Sequence, residues 1–218
     1  HHLSHMVRDY FGDGQKWGVK ITYSIEKEAL GTAGGVKNVE RLLVVSPSTP
    51  LRTGPVEPFD APFGGVYSER SRTAQGRPFF VWYGDNLSTC RLDRLWEFHR
   101  AKGGIATIAL HYREDPTQSG IVGLDENDRL VRFLEKPRPD QAFSHWVSAG
   151  IFVLGPGVLD FIPTDRPSDF GQDIFPALLA AGQPLYGYRM GQDERLWWID
   201  TPEDLERVRR MWTKGGIL

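Results

Sequence analysis

Long apolar runs and helix-like periodicities alternate along this chain. Residues 79–83 form an unbroken apolar and aromatic run that leads directly into Gly84, Asp85 and Asn86. A strand that is polar on one face would alternate, so this run predicts a central strand covered on both faces. Residues 105–110 form a second such run, and the stretch between the two has the periodicity of an amphipathic helix. Together they predict a strand–helix–strand unit of a parallel sheet.

Further helices and strands are predicted on both sides of this unit. Before it, apolar spacings of three and four predict a helix over residues 3–11, and alternation predicts a strand over 19–23. A polar turn at residues 125–128 separates two apolar runs, which predicts a hairpin of strands 120–124 and 130–134. The later predicted elements are a strand at 147–154, a helix over 169–181, strands at 185–188 and 196–199, and a last helix that begins with a capping box of Thr201, Pro202 and Asp204.

The alternation of buried strands with amphipathic helices predicts the fold class. We expect a Rossmann-like three-layer α/β/α fold, with helices on both faces of a mixed, mostly parallel central sheet. Residues 46–75 interrupt the pattern, because they are rich in Pro and Gly and lack periodicity. A structureless segment of this length is uncommon inside a compact domain. We therefore expect one domain over residues 1–218, with an inserted loop at 46–75 that contributes little to the core.

The bulk properties of the chain exclude several classes of function. A formal net charge of −2 over 218 residues gives no global attraction to nucleic acid or to anionic membranes. The single cysteine, Cys90, excludes an internal disulfide framework and a structural zinc site. The sequence shows no signal peptide and no apolar run long enough to cross a bilayer. We expect a soluble, cytoplasmic protein without nucleic-acid or membrane partners.

Two stretches carry candidate chemistry. Ligands of open α/β sheets bind beyond the carboxyl ends of the strands, where Gly84 permits a sharp turn and Asp85 presents a carboxylate. Such a carboxylate is a natural ligand for Mg²⁺, although it could also only cap the next helix. The glycine-rich stretch from Leu30 to Gly35 precedes an apolar periodic segment. It could present free N–H groups to a ligand, or it could be an ordinary connection with flexible glycines.

Five short motifs follow one another in a specific order along the chain. They are Leu30-Gly31-Thr32-Ala33-Gly34-Gly35, Gly84-Asp85-Asn86, Glu135-Lys136-Pro137, Ser148-Ala149-Gly150-Ile151 and Trp198-Ile199-Asp200-Thr201-Pro202-Glu203-Asp204. In this order they resemble the sugar-1-phosphate nucleotidylyltransferases, or nucleoside-diphosphate-sugar pyrophosphorylases. Within that family the chain is most similar to the bacterial mannose-1-phosphate guanylyltransferase-like members. The resemblance covers nearly the whole chain except the predicted insertion.

The resemblance implies a nucleotide-diphospho-sugar transferase fold and a nucleotidyl transfer. A nucleoside triphosphate and a sugar 1-phosphate would give a nucleoside diphosphate sugar and pyrophosphate, with Mg²⁺ as cofactor. GTP and mannose 1-phosphate would be the substrates, and a homo-oligomer is possible. Asp85 and Lys136 would be catalytic, and Asp85 and Asp200 would ligate the metal. The implied substrate-binding positions are Leu30, Gly31, Thr32, Ala33, Gly34, Gly84, Glu135, Ser148 and Gly150.

The chain departs from the family pattern in three places. No Gly-x-Gly-Thr-Arg signature followed by a lysine occurs, so we expect the N-terminal segment that grips the triphosphate to be absent and this chain alone to be nearly inactive. A gapless alignment on Thr201 and Pro202 puts Trp198 at the position of the family's metal aspartate. Asp200 would serve instead only if the strand end is shifted. Ser148 stands where asparagine is common, which alters one polar contact to the sugar.

Three other readings of the sequence compete with catalysis of this kind. The chain could be a non-catalytic relative that binds a sugar nucleotide or regulates a partner. It could be a metal-dependent glycosyltransferase, which also uses an aspartate after a central strand, but Glu135-Lys136-Pro137 and the start of the last helix argue against that. A nicotinamide-dependent Rossmann enzyme is poorly supported, since no Gly-x-Gly-x-x-Gly follows a strand.

Overall fold

Residues 3–43 and 76–213 of the chain are described by a computed structural model. The predicted insertion at 46–75 lies outside the described residues. The helices are α1 (Ser4–Phe11), α2 (Gly31–Asn38), α3 (Glu40–Leu43), α4 (Leu92–Lys102), α5 (Phe175–Ala180) and α6 (Pro202–Thr213). The strands are β1 (Phe79–Trp82), β2 (Asn86–Ser88), β3 (Ala106–Tyr112), β4 (Ile121–Leu124), β5 (Leu130–Leu134), β6 (Trp146–Leu154), β7 (Leu185–Arg189) and β8 (Leu196–Trp198). Short 3₁₀ turns lie at Gln15–Trp17, Pro139–Gln141 and Pro156–Phe161, and a π-helical turn at Phe170–Ile174 leads into α5.

Six of these strands form one mixed sheet organised around β6. β3 runs antiparallel along one side of β6, and β7 pairs with β3 in parallel. On the other side, β1 pairs with the second half of β6 and β4 pairs with its beginning, both antiparallel. The hairpin of β4 and β5 forms the outer edge, and β2 and β8 form a separate two-stranded ribbon.

The two faces of the sheet are covered by two hydrophobic clusters. Successive side chains of a strand point to opposite faces, so neighbours in β3 and β6 enter different clusters. Ile108 and Phe152 pack with the residues of α5, whereas Ala109 and Val153 pack with Leu95 of α4. Full burial of each such apolar side chain stabilises the fold by roughly 1.5–3 kcal/mol. The predicted α/β class, with helices on both faces of a mixed sheet, is confirmed.

The sheet differs from expectation in the direction and position of its strands. Parallel pairing does not predominate among the described strands, because β6 runs against both β1 and β3; the β3–β7 pair is parallel. The expectation of a central β1 covered on both faces is also wrong. β1 pairs with β6 alone among the described strands, and its burial alternates, with Phe80 40% and Trp82 37% exposed. Only the face that carries Phe79 and Val81 packs on the core.

Most of the other predicted elements are present, and two near the start of the described chain differ. The hairpin at 125–128 and the capping box of α6 are confirmed, the latter by reciprocal 3.1 Å bonds between Thr201 and Asp204. Residues 19–23 form no strand, since no described strand pairs with them. The helix predicted over residues 3–11 is present as α1, but it buries no side chain. Among the described residues, no helix combines the length and apolarity needed to cross a membrane.

Candidate active site

A cleft of about 550 Å³ opens where several strands of the sheet end. Asp85 follows β1, Arg113 follows β3, Glu135 follows β5, and Asp200 follows β8; all four line the cleft. Residues far apart in the sequence meet here because β1 and β5, which run in opposite directions, both end beside the middle of the sheet. The cleft is therefore lined by charged side chains that follow four separate strands.

Seven of the positions predicted from the sequence line this cleft, and five lie elsewhere. Asp85 and Glu135 thus share one cleft, as expected. The seven are Thr32, Asp85, Glu135, Lys136, Ser148, Gly150 and Asp200. The other five, outside the cleft lining among the described residues, are Leu30, Gly31, Ala33, Gly34 and Gly84. What these side chains bind stays a prediction.

The floor of the cleft is the segment of β6 that lies between its pairing with β4 and its pairing with β1. β4 pairs with β6 at Val147, and β1 pairs with it from Ile151 onward. Ser148 and Gly150 lie between these two pairings and line the cleft. The Tyr83 N–H donates to the Gly150 carbonyl at 2.9 Å, which fixes the end of β1 against this segment.

Gly150 has a structural reason to be glycine. Its φ of 66° lies in the left-handed region, which favours residues without a Cβ. A Cβ there would overlap the Asn86 side chain and the Tyr83 ring. The Asn86 amide in turn donates to the Ala149 carbonyl at 2.9 Å. Contacts within the chain therefore already require a glycine, and its predicted role beneath a sugar stays a prediction.

The glycine-rich stretch that begins at Gly31 is the first part of α2 rather than a loop. The N-terminal N–H groups of a helix have no partner within the helix. Here the Thr32 N–H donates to Asp169 Oδ1 at 3.1 Å, and the Ala33 and Gly34 N–H groups donate to the Ser168 carbonyl at 2.9 and 3.2 Å. The interpretation that these groups are free for a ligand is therefore wrong. A Cβ on Gly31 would also overlap the Ser168 carbonyl, so the close approach serves the fold.

The α2 start contributes one side chain to the cleft. The Thr32 hydroxyl donates to Asp169 Oδ1 at 2.9 Å and accepts the Phe170 N–H at 3.0 Å. Burial raises the pKa of the nearby Tyr83 hydroxyl. Tyr83 is thus a neutral phenol within the cleft wall. Leu30 and Gly34 instead line a second cavity of about 420 Å³, beside residues 163–167.

Glu135 and Lys136 directly follow β5 and line the cleft beside Gly171. Burial raises the pKa of Glu135, the charge of Lys136 lowers it, and Asp169 raises it. Its carboxylate is packed so closely that a Cβ on Gly171 would overlap it. Lys136 has a φ of 44°, which is uncommon for a residue other than glycine, and strain of this kind tends to occur at functional sites. Among the described residues, Lys136 makes no ion pair within hydrogen-bonding range.

Asp85 and Asp200 lie at the end of the β2–β8 ribbon. Asn86 pairs with Trp198, and the Ile199 N–H donates to the Asp85 carbonyl at 2.9 Å, which brings the two aspartates to the same end. Residues 3–43 and 76–213 contain no group of three or more metal-binding side chains. However, Mg²⁺ is usually held by one or two carboxylates together with water and substrate phosphates. Two exposed carboxylates in a cleft that has room for phosphates fit that ion.

Sequence reasoning did not identify the cationic side of the cleft. The Arg113 guanidinium carbon lies 4.4 Å from the centre of the Trp198 ring, and both residues line the cleft. Arg207 of α6 lies there too, paired with Asp204 at 2.6 Å. Arg113 could have been found by its position directly after a buried strand, as Asp85 was. No local pattern indicates the stacking on Trp198, since 85 positions separate the two residues.

Three comparisons with known proteins bear on this site. The family model for nucleotidyl transferases matches residues 1–51 and 65–211. The chain is 36% identical over 203 residues to the mannose-1-phosphate guanylyltransferase of Mycobacterium tuberculosis, covering 90% of this chain and 45% of that protein. It is 31% identical over 210 residues to the UTP–glucose-1-phosphate uridylyltransferase of Synechocystis, covering 91% of this chain and 46% of that protein. The chain spans about half the length of these curated relatives.

A solved structure supports the fold. The chain aligns with a candidate glucose-1-phosphate thymidylyltransferase from Bacillus anthracis with a TM-score of 0.70 and 19% sequence identity. The alignment covers 96% of this chain and 72% of that one. At this identity, the likeness establishes the nucleotide-diphospho-sugar transferase fold and nothing about substrates.

Proposed function

This chain belongs to the nucleotidyl transferase family, and from that premise we propose that its cleft joins a nucleoside triphosphate to a sugar 1-phosphate with release of pyrophosphate. The observation that carries the proposal is the convergence of Asp85, Glu135, Lys136 and Asp200 in one cleft. Two carboxylates suited to a hard cation lie in the same cleft as a lysine and a glutamate suited to a phosphorylated sugar.

The reaction that we propose needs charge neutralisation more than it needs a general base. The phosphate oxygen of a sugar 1-phosphate is already anionic at neutral pH, so it can attack the α-phosphorus of the triphosphate without losing a proton. The P–O bond to the leaving pyrophosphate then breaks in line with the attack. In keeping with this, no described histidine lines the cleft.

Each wall of the cleft has its own task in this mechanism. Lys136 offsets the negative charge of the sugar phosphate, and the Glu135 carboxylate accepts hydrogen bonds from sugar hydroxyl groups. Asp85 and Asp200 would hold Mg²⁺. When bound, Mg²⁺ supplies positive charge to the phosphates. Tyr83 and Thr32 close the cleft next to Asp169 and help to fix its shape.

We further propose GTP and mannose 1-phosphate as the substrate pair. The support is the 36% identity to a relative whose name gives that activity. UTP with glucose 1-phosphate is the next pair to test, because the 31% identical relative is named for it.

The test is an assay of pyrophosphate release over a panel of triphosphates and sugar 1-phosphates. For a longer protein that includes this chain we expect release with at least one pair, and there we expect Asp85→Asn to lower the rate by at least about a hundredfold. Asp193→Asn is the matched control, since Asp193 is an exposed carboxylate that pairs with Arg94 outside the cleft. It should retain the wild-type rate.

Two other outcomes would redirect the proposal. Binding of a nucleoside diphosphate sugar without pyrophosphate release from any pair would favour the non-catalytic reading. The expectation that this chain alone is nearly inactive is tested by running the same assay on this chain and comparing its rate with that of the longer protein. Equal rates for the two would contradict that expectation.

A further inference from the structure

We propose that Arg113, whose guanidinium lies over the Trp198 ring, is a phosphate-binding group of the cleft in addition to Lys136. The inference rests on the proposed function, because it assigns a further contact to the phosphorylated substrates of the same cleft. It also involves a place where the chain differs from the family pattern, since Trp198 aligns with the position of the family's metal aspartate.

The charges of the cleft lining indicate why a second cation matters. Five carboxylates line the cleft, against the three cations Arg113, Lys136 and Arg207. Arg207 is paired with Asp204 at 2.6 Å, so its charge is already offset. Within residues 3–43 and 76–213, neither Arg113 nor Lys136 forms an ion pair. An anionic ligand that enters a cleft rich in carboxylates needs such unpaired cations.

The backbone and the stacking partner of Arg113 fix its position. The Arg113 N–H donates to the His145 carbonyl at 2.9 Å, which continues the pairing of β3 with β6 by one residue. Trp198 is fixed in β8 opposite Asn86 and contacts the edge of the His111 ring at 5.7 Å between centroids. A cation on the face of an indole is attracted by the negative charge of the ring face. The guanidinium is therefore held in one place before any ligand arrives.

Stacking leaves the hydrogen-bonding capacity of the guanidinium available. Its five N–H groups lie in the plane of the group and point away from its edges, whereas the ring covers only a face. That fork matches two oxygens of one phosphate. Sugar 1-phosphates, nucleoside triphosphates and pyrophosphate all offer this group, so the chemistry indicates phosphate, and the arms of the experiment separate the sources.

A purely structural stack would look similar locally, and the chain contains one for comparison. The Arg132 guanidinium lies 4.0 Å from the centre of the Phe143 ring, but neither residue lines the cleft. Arg132 is exposed on β5. The Arg132→Gln variant therefore removes the same charge and the same kind of contact away from the site.

The experiment measures ligand binding by calorimetry in the presence of a chelator, so that only the side chains of this chain contribute. The ligands are inorganic pyrophosphate, mannose 1-phosphate and GTP, each titrated into wild type, Arg113→Gln, Arg113→Lys and Arg132→Gln. We expect Arg113→Gln to weaken at least one of them by about tenfold or more. Arg113→Lys keeps the charge but loses the fork, so it should fall between Arg113→Gln and wild type, and Arg132→Gln should bind as wild type does.

The pattern of losses identifies the phosphate. A loss for mannose 1-phosphate alone assigns Arg113 to the sugar phosphate, and a loss for pyrophosphate and GTP assigns it to the triphosphate. Equal affinities of Arg113→Gln and Arg132→Gln for all three ligands would overturn the inference. So would the absence of binding by a folded wild type, which circular dichroism would verify.

The outcomes also separate this inference from the proposed function. Weaker phosphate binding by Arg113→Gln, without pyrophosphate release from any pair by the longer protein, would leave the inference standing and contradict the catalytic proposal. Unchanged binding by Arg113→Gln, together with release by the longer protein, would overturn the inference and leave the catalytic proposal standing. The Trp198→Leu variant adds an independent check, because loss of the ring should weaken the same ligands that Arg113→Gln weakens.

Discussion

Two helices of this chain begin against carboxylates that come from far along the sequence, and the two carboxylates lie in opposite surroundings. At α4, Glu194 is 2% exposed and accepts the Arg91 N–H through Oε1. Its Oε2 accepts the Gly191 N–H at 2.6 Å and the Tyr188 hydroxyl at 3.0 Å. At α2, Asp169 accepts two bonds from Thr32 through Oδ1 and lines the open cleft.

The difference shows that burial decides what else such a carboxylate can do. Glu194 is enclosed by its donors, and it also raises the pKa of the Cys90 thiol, which burial brings to about 12. A thiol with that pKa is unreactive at neutral pH. Asp169 uses one oxygen for the helix and remains in contact with the cleft, where its charge raises the pKa of Glu135. One carboxylate serves the fold alone, and the other serves both the fold and the site.

The largest expected effect comes from the enclosed carboxylate. Glu194→Ala leaves the partly buried donors of Arg91, Gly191 and Tyr188 without partners, and a fully buried group without a partner costs about 1–3 kcal/mol. We expect the free energy of unfolding to fall by about 3–5 kcal/mol, measured by urea denaturation. A loss below about 1 kcal/mol would contradict the structural role that we assign to Glu194.

The next largest effect is a pH dependence of the free energy of unfolding, caused by a buried histidine of α4. His99 of α4 is 1% exposed, and burial lowers its pKa to about 4, compared with about 6.5 in an unfolded chain. As the pH falls, the unfolded state binds the proton first. The free energy of unfolding should therefore decrease between about pH 6.5 and pH 4, by at most about 3 kcal/mol, and this group has no effect at higher pH.

Denaturation curves at several pH values check this prediction. His99→Gln should reduce the dependence in that window, because no titrating group remains at the position. His5→Gln is the control, since His5 is an exposed histidine of α1, and it should leave the dependence as in wild type. Identical slopes for wild type and His99→Gln would contradict the prediction.

A smaller loss of stability is expected at the open carboxylate, accompanied by a change at the site. Asp169→Ala removes the partner of the Thr32 N–H and hydroxyl, which should cost about 1–2 kcal/mol, as for loss of a helix cap. Unlike Glu194→Ala, the Asp169→Ala substitution should also change the affinity for pyrophosphate, mannose 1-phosphate or GTP, because Thr32 and Tyr83 lose their fixed position in the cleft wall. Calorimetric affinities equal to those of wild type would show that Asp169 serves the fold alone.

The smallest effect is expected at a helix start with a local cap. Thr201→Ala removes one half of the reciprocal bonds with Asp204 at the beginning of α6. We expect a loss of about 1 kcal/mol in thermal denaturation. Thr201→Ser retains the hydroxyl and should restore most of it. A loss as large as that of Glu194→Ala would remove the distinction between local and distant caps.

These three helix starts also show what the sequence could and could not predict. Thr201 and Asp204 are three residues apart, so their pairing is visible in the sequence as a capping box. Glu194 lies 103 residues from Arg91, and Asp169 lies 137 residues from Thr32, so only the folded chain brings them together. The sequence alone therefore leaves both a ligand loop and an ordinary connection open for the glycines of α2, whereas in the fold Gly31 and Gly34 accommodate the neighbouring backbone of Ser168.

The same limit applied to the sheet and to the site. Apolar runs predicted where strands lie, because burial of a strand follows from its side chains. They did not predict that β6 runs against β1 and β3, since direction depends on pairing across the sheet. Asp85, Glu135 and Lys136 could be predicted because short motifs contain them. The contact of Arg113 with Trp198 could not, because only the fold brings these two residues close together.

The division of β6 between β1 and β4 has a mechanical consequence for the cleft. Asp85 is carried by the end of β1, whereas Glu135 and Lys136 are carried by the hairpin of β4 and β5. The described strands β1 and β4 pair with β6 but not with each other. The positions of the two sides of the cleft are therefore set by two separate pairings along β6. The β1–β6 pairing spans four residue pairs and the β4–β6 pairing spans one, so loss of the β4–β6 pairing would free the start of the hairpin from β6 while Asp85 stays held at the end of β1.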